Sequence, residues 1–214
     1  MKRHFKTVLL ACLAMVCRFG HAQGFVNLDF EAAQNVPGSN GYMASTDALP
    51  GWTAFSGASQ LSDVFYINNI TSPPYPPVEL VGWNGINWRV IDGNYSCFLN
   101  NGGLISQTAT VPADTESLIF KDYVYSGYHA TMSVSLGGQN LSLITISNTP
   151  NYKLVGADIS AFAGQTVTLS FSASSGGYNL DGIQFSSQLV PEPGTLGLLA
   201  LGGSLCGGLY FRRK

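Results

Sequence analysis

Apolar and polar residues alternate with a period of two along most of the chain between positions 24 and 187. Segment 166–172 puts three apolar residues on one face and hydroxyl side chains on the other, as a half-buried β-strand does. Segment 130–136 repeats this alternation, and Gly137-Gly138 supplies a two-residue hairpin signal before a further strand at 139–147. The pattern predicts an all-β domain.

Eight more short segments are predicted as strands, with Gly, Pro and Asn residues between them. They are 25–30, 52–55, 64–68, 95–99, 104–110, 118–124, 152–156 and 182–186. A single helical turn is predicted at 158–164, with Asp158 or Ser160 as its cap. Many short strands with such separators are typical of an antiparallel β-sandwich.

The amino terminus has a different pattern. Lys2, Arg3 and Lys6 precede an apolar run at 8–17, and small residues follow at Gly20 and Ala22. This is the order of a secretory signal peptide, which predicts an N-terminal signal helix in residues 1–22 and cleavage after Ala22.

The carboxyl terminus combines a short motif, an apolar stretch and a cationic end. Pro191-Glu192-Pro193 leads into apolar residues 196–211, and the last three residues are Arg212, Arg213 and Lys214. As a helix, 194–211 measures roughly 27 Å, close to the roughly 30 Å core of a bilayer. We therefore expect a transmembrane helix with a cytoplasmic end, and three parts overall: signal 1–22, sandwich domain 23–189 and tail 190–214.

This tail resembles the PEP-CTERM sorting signal, because Pro-Glu-Pro, one apolar span and an Arg-rich end occur in that order at the extreme C-terminus. The resemblance implies recognition of Pro191, Glu192 and Pro193 by an exosortase, a membrane transpeptidase-like protease. It also implies a precursor anchored in the inner membrane of a Gram-negative bacterium, and then a location at the cell surface or in the extracellular matrix. The alternative is an ordinary single-pass anchor.

Charge excludes one class of partner for the exported part. Only 10% of the chain is charged, and residues 23–190 carry three cations against eleven carboxylates, a formal charge of −8. Such a surface is unsuited to DNA, RNA or anionic lipid. Cys97 is the single cysteine of this part, so it has no internal disulfide partner, and its apolar neighbours predict a buried side chain.

The order of fragments between residues 25 and 187 resembles a galactose-binding-like jelly roll, the fold of many carbohydrate-binding modules. The fragments include Asn27-Leu28-Asp29-Phe30-Glu31, Asp92-Gly93-Asn94-Tyr95-Ser96 and Asn179-Leu180-Asp181-Gly182. The resemblance implies a structural Ca²⁺ bound by Glu31, Asp181 and main-chain carbonyls, since Ca²⁺ prefers oxygen ligands. The alternative is that both carboxylates are solvated or hydrogen-bonded loop residues.

Aromatic side chains are the strongest sequence argument for a ligand. Flat rings pack on sugar rings at a low cost in entropy. The candidates are Tyr66, Tyr75, Trp83, Trp88, Tyr125 and Tyr128. Tyr75 lies between two proline pairs that stiffen its segment, and Trp88 lies in a Gly- and Asn-containing loop. These two rings are the predicted polysaccharide-binding residues, whereas Trp52 and Trp83 are equally suited to a core.

Catalytic groups are scarce. His129 is the single histidine between residues 23 and 190, and no nucleophile-elbow or zinc-protease motif accompanies it. No acidic pair suggests a glycosidase. The sequence therefore favours a non-catalytic, exosortase-sorted surface or matrix protein with a possible glycan ligand. A purely structural component without a small ligand is the alternative, and a hydrolase is less favoured.

Overall fold

The predicted all-β sandwich is confirmed. The computed structural model describes residues 24–69, 76–82, 90–124 and 131–190, and these residues form two packed β-sheets. The strands are β1 Gly41–Ala44, β2 Thr53–Ser56, β3 Ser59–Gln60, β4 Asp63–Ile67, β5 Val78–Gly82, β6 Tyr95–Leu99, β7 Gly103–Thr110, β8 Ser117–Val124, β9 Thr131–Leu136, β10 Gln139–Asn140, β11 Ile144–Asn148, β12 Lys153–Asp158, β13 Thr166–Ser175 and β14 Tyr178–Ser186. A short helix, α1, covers Ser45–Ala48, and a 3-10 turn covers Ser160–Phe162.

The last strand lies in the middle of the larger sheet. The eight-stranded sheet has the order β1-β4-β5-β6-β14-β8-β12-β11, and the six-stranded sheet has the order β10-β9-β13-β7-β2-β3. Strand β14 pairs with β6 on one side and β8 on the other. Among the paired strands of the described residues, β4 and β5 are parallel and the others are antiparallel.

Aromatic side chains connect the facing sheets. Phe171 of β13 meets Phe120 of β8 edge to face, with 5.3 Å between ring centroids. Trp52, which precedes β2, lies 6.2 Å from the same Phe171 ring and is 5% exposed. Such edge contacts add to the hydrophobic effect of burying large rings, so Trp52 is a core residue.

Two strand predictions were wrong. Segment 25–30 is a loop, because Asn27 and Phe30 adopt left-handed backbone angles, with φ of 51° and 60°, which a strand does not contain. The Gln107 side chain fastens this loop instead, since it accepts from Val26 N at 2.7 Å and donates to Val26 O at 3.0 Å.

The predicted strand at 139–147 is divided in two. Strand β10 pairs with β9 in the smaller sheet, whereas β11 pairs with β12 in the larger one. The sequence analysis also missed β1 and β5. Strand β5 is buried along its whole length, from Val78 to Gly82, so it lacks the alternation that identifies a half-buried strand.

Two local predictions are confirmed. Gly137 and Gly138 have φ of 58° and 79°, as a two-residue hairpin with two left-handed positions requires, and they join β9 to β10. The helical turn is the 3-10 turn Ser160–Phe162, and the Asp158 carboxylate accepts a hydrogen bond from Ser160 N at 2.9 Å.

The predicted signal peptide and the predicted transmembrane helix lie outside the described residues. None of the helices in the described ranges has the length and apolar character that a membrane crossing requires.

Candidate functional site

Four carboxylates line one pocket beside the central strand β14. Asp29, Glu31, Asp92 and Asp181 surround a volume of about 250 Å³, together with two glycines. The sequence predicted Glu31 and Asp181 as a pair, and the fold places both on this pocket. Asp29 and Asp92 were not predicted as site residues.

Glu31 fastens the first loop to the start of β6. Its Oε1 accepts from the main-chain N–H groups of Asn94 and Tyr95, at 2.7 and 2.9 Å, and its Oε2 accepts from Asn94 Nδ2 at 3.0 Å. Gly93 has φ of +62°, and a Cβ atom there would lie 2.3 Å from Glu31 Oε1. Glycine is therefore required at position 93 for the close approach of this carboxylate.

Asp181 is fully buried on β14. Its Oδ2 accepts from Ser96 Oγ at 2.6 Å and from Asp92 N at 3.1 Å, and its Oδ1 accepts from Gly182 N at 2.7 Å. Burial raises the pKa of Asp181 to about 7, because these hydrogen bonds and the charge of Lys121 only partly compensate for the loss of water. Asp181 is thus a buried, hydrogen-bonded carboxylate and not a solvated loop residue.

Lys121 supplies a positive charge at the rim of this pocket. Its Nζ donates a short hydrogen bond to Asp92 Oδ2, and this contact lowers the pKa of Asp92. The Lys121 ammonium also lies 5.3 Å from the centre of the Tyr152 ring, within the range of a cation–π interaction. Neither Glu31 nor Asp181 has an ion pair among the described contacts.

The pocket has carboxylate ligands that a cation site requires, but the described side chains do not form a complete set of ligands. Carboxylate oxygens suit a hard cation such as Ca²⁺, and the described residues form no ion pair with the buried Asp181 carboxylate. However, in the part of the chain that the structure describes, no three Asp, Glu, His or Cys side chains converge as a metal-binding group. A cation here would therefore need main-chain oxygens or water in addition to Glu31 and Asp181.

A second buried carboxylate lies inside the sandwich. Asp122 of β8 is 7% exposed, and its Oδ1 accepts no hydrogen bond from the described residues. Burial raises its pKa to about 6, and the charge of Lys153 opposes this shift. The sequence analysis did not predict a buried acid here, although Asp122 occupies an inward position between buried Phe120 and half-buried Val124.

The predicted aromatic site is tested at one position. Tyr66 is 5% exposed and belongs to the hydrophobic core, so it is not a ligand platform, and its inclusion among the candidates was wrong. Tyr75, Trp83, Trp88, Tyr125 and Tyr128 lie outside the described residues, as does His129. Cys97 is a free, fully buried thiol whose pKa burial raises, which confirms its predicted place in the core.

Comparison with known proteins identifies the C-terminal segment. Residues 189–214 match the PEP-CTERM protein-sorting motif. No curated protein matches the chain. The PEP-CTERM motif indicates an exported protein that an exosortase sorts, made as a membrane-anchored precursor in a Gram-negative bacterium. The exosortase is therefore the partner of the C-terminal tail.

Sequence reasoning missed Asp29 and Asp92, which line the acidic pocket, and Ser96 and Lys121, which donate hydrogen bonds to its carboxylates. The signal for Asp92 was the Asp-Gly-Asn run at 92–94, which is typical of a tight turn with inward-facing main-chain donors. Ser96 and Lys121 left no signal, because the pairing of β14 with β6 and β8 alone brings them to Asp181.

Two of the buried carboxylates, Asp122 and Asp181, have raised pKa values, which predicts that the protein is more stable at mildly acidic pH. A carboxyl group whose pKa is higher in the folded state binds more protons there, so stability falls as pH rises from about 4, the unfolded pKa, to about 7 and is level above that. We expect the free energy of unfolding, measured with urea, to fall by about 2 kcal/mol or more between pH 4 and pH 8.

The variant Asp181→Asn should remove at least half of this fall, because an amide does not titrate. Asp114→Asn, at an exposed position, is the matched control and should keep the wild-type pH profile. A profile in Asp181→Asn as steep as that of the wild type would contradict the assignment.

Proposed function

We propose that this chain is an exosortase-sorted protein of the cell surface or extracellular matrix, with a non-catalytic sandwich domain that binds glycan. The PEP-CTERM match at residues 189–214 carries the proposal. The folded domain continues to residue 190, so the sorted cargo is this sandwich itself. The low charge content and the excess of carboxylates favour a surface that contacts neutral polymers over one that contacts nucleic acid.

The arrangement around the acidic pocket supports a structural role for its carboxylates. Glu31 and Asp181 accept hydrogen bonds from loop main-chain donors, which orders the entry to β6 and the first loop. A catalytic acid and base would need a face open to substrate, whereas Asp181 is fully buried. This contrast is the reason to propose a non-catalytic domain.

The glycan proposal rests on rings in two segments that flank β5. Tyr75 precedes the first residue of β5, Val78, by three positions, and Trp88 follows the last residue, Gly82, by six. In sequence, the two rings therefore lie on either side of one strand. A purely structural component without a small ligand is the competing function.

The first prediction of this proposed function concerns sorting of the precursor. Changing Pro191-Glu192-Pro193 to three alanines should leave export across the inner membrane intact but prevent removal of the tail, because the recognition residues are lost. Cell fractionation and mass spectrometry of the full-length protein measure both effects. A mature mass identical to that of the wild type would contradict the role of the motif.

The second prediction concerns Ca²⁺, which we propose as a structural ion held by Glu31, Asp181 and main-chain oxygens. A ligand that binds only the folded state stabilises it, so millimolar Ca²⁺ should raise the melting temperature of the wild type. Asp181→Asn should lose this increment, whereas Asp114→Asn should retain it. Equal melting temperatures of the wild type in Ca²⁺ and in chelator would show that the carboxylates only fasten the loops.

The third prediction concerns glycan. Trp88→Ala and Tyr75→Ala should each weaken retention in affinity electrophoresis with polysaccharide, independently of each other, while the melting temperature stays unchanged. Tyr42→Ala is the matched control, because Tyr42 is an aromatic residue that is 68% exposed on the edge strand β1. Absence of retention in the wild type, or equal retention in all variants, would favour the purely structural function.

A further inference from the structure

After β14 the chain turns back onto the sandwich. Ser186, the last residue of β14, pairs with Ser117 of β8. Val190 lies against Gly156 of β12, which pairs with Ile119, two residues further along β8. Because the neighbouring Val155 belongs to the core between the sheets, Gly156 faces outward. Residues 187–190 therefore return over the outer face of the eight-stranded sheet.

Polar and apolar contacts hold this returning segment. Ser117 Oγ donates to Gln188 O at 2.6 Å, and Gln188 N donates to Ser186 Oγ at 3.0 Å. Val190 is 8% exposed, whereas the preceding Leu189 is 63% exposed. We call residues 187–190, held in this way, the clasp.

Gly156 makes room for the last residue of the clasp. A Cβ atom at position 156 would lie 2.8 Å from Val190 Cγ2 and 2.9 Å from Ile146 Cδ1. Real Cβ atoms do not approach so closely in a packed interior, so the Val190 side chain occupies space that a larger residue at 156 would fill. The absence of a side chain at Gly156 thus allows Val190 to pack directly against the sheet.

The clasp ends directly before Pro191-Glu192-Pro193 and shares residues 189 and 190 with the matched sorting motif. Pro191 directly follows Val190, and Gly194, at the start of the predicted membrane span, is four positions after Val190. Even a fully extended chain covers only about 14 Å over four residues. In sequence, the recognition residues therefore follow the last described residue of the sandwich without an intervening linker.

We propose that the clasp holds the start of the sorting motif against the folded domain and that its opening governs the rate of tail removal. The positioning residues for this reaction are Ser117, Gly156 and Val190. They act by holding the tail and not by an effect on the exosortase. The inference rests on the proposed function. Proteases cleave segments that are locally unfolded. The rate of cleavage then depends on the fraction of molecules in which the segment is detached from the domain.

Loosening the clasp should accelerate processing of the full-length precursor. The assay is a pulse–chase experiment in cells that contain the exosortase. Ser117→Ala and Val190→Ser should each shorten the half-time of conversion of precursor to mature protein about two- to tenfold. This is the range expected for the loss of one hydrogen bond or apolar contact. Ser117 lies far from the motif in sequence, so its effect cannot arise from altered recognition of the tail.

Two matched controls accompany these variants. Ser172→Ala removes another strand serine that donates to a main-chain oxygen, that of Ser133, and Leu189→Ser makes a similar change at the exposed neighbour of Val190. Both should be processed at the wild-type rate. Hydrogen exchange of residues 188–190 should be faster in the two clasp variants and not in the controls, with melting temperatures unchanged.

Locking the clasp should have the opposite effect. Because a Cβ at position 156 would approach Val190 closely, the double variant Gly156→Cys with Val190→Cys is placed to form a disulfide after export. We expect slower tail removal, restored by a reductant.

Tail removal at the wild-type rate in the disulfide-locked variant would overturn the proposal. The same rate in a clasp variant that shows faster hydrogen exchange would also overturn it. Unchanged exchange in Ser117→Ala and Val190→Ser would also overturn it. Failure of the proposed function is distinguishable, because tail removal would then be absent in the wild type or would survive the change of Pro191-Glu192-Pro193 to alanines.

Discussion

The central position of β14 is the constraint on which this fold depends. The strand formed last along the chain joins β6 to β8, so without it the larger sheet would consist of two separate halves. Pairings between residues so distant in sequence form slowly, because loop-closure entropy is lost before the contacts form. The sandwich therefore closes only when residues 178–186 are available. Along the chain, completion of the fold is therefore followed within a few residues by Pro191-Glu192-Pro193.

Strand β14 also determines the surroundings of the buried Asp181 carboxylate. It carries Asp181 into full burial beside Ser96 and Lys121. A buried carboxylate is costly unless donors surround it, and here the donors are Asp92 N in the loop before β6, Ser96 Oγ on β6 and Gly182 N on β14. Glu31 adds the first loop to the same network. The acidic pocket is thus where the two ends of the described domain are fastened together.

These features fit a protein that must survive outside the cytoplasm without a disulfide. Cys97 is buried and unpaired, so stability comes from the core and from hydrogen-bonded loops. The Phe171 ring packs against Phe120 and Trp52 and connects the two sheets, and the clasp attaches the segment before the PEP-CTERM motif. These contacts extend the described fold to Val190, directly before Pro191-Glu192-Pro193.

The sequence alone determined the class of fold, the sorting motif and most strands, because period-two alternation and the order of the tail are local signals. It also identified Glu31 and Asp181 as partners through a resemblance. It missed β5, whose two buried faces erase the alternation, and it misread 25–30, where Asn27 and Phe30 take left-handed backbone angles. Only the tertiary structure brought Asp92, Ser96 and Lys121 to Asp181 and Val190 to Gly156, because these contacts depend on strand order and register, which residues distant in sequence decide together.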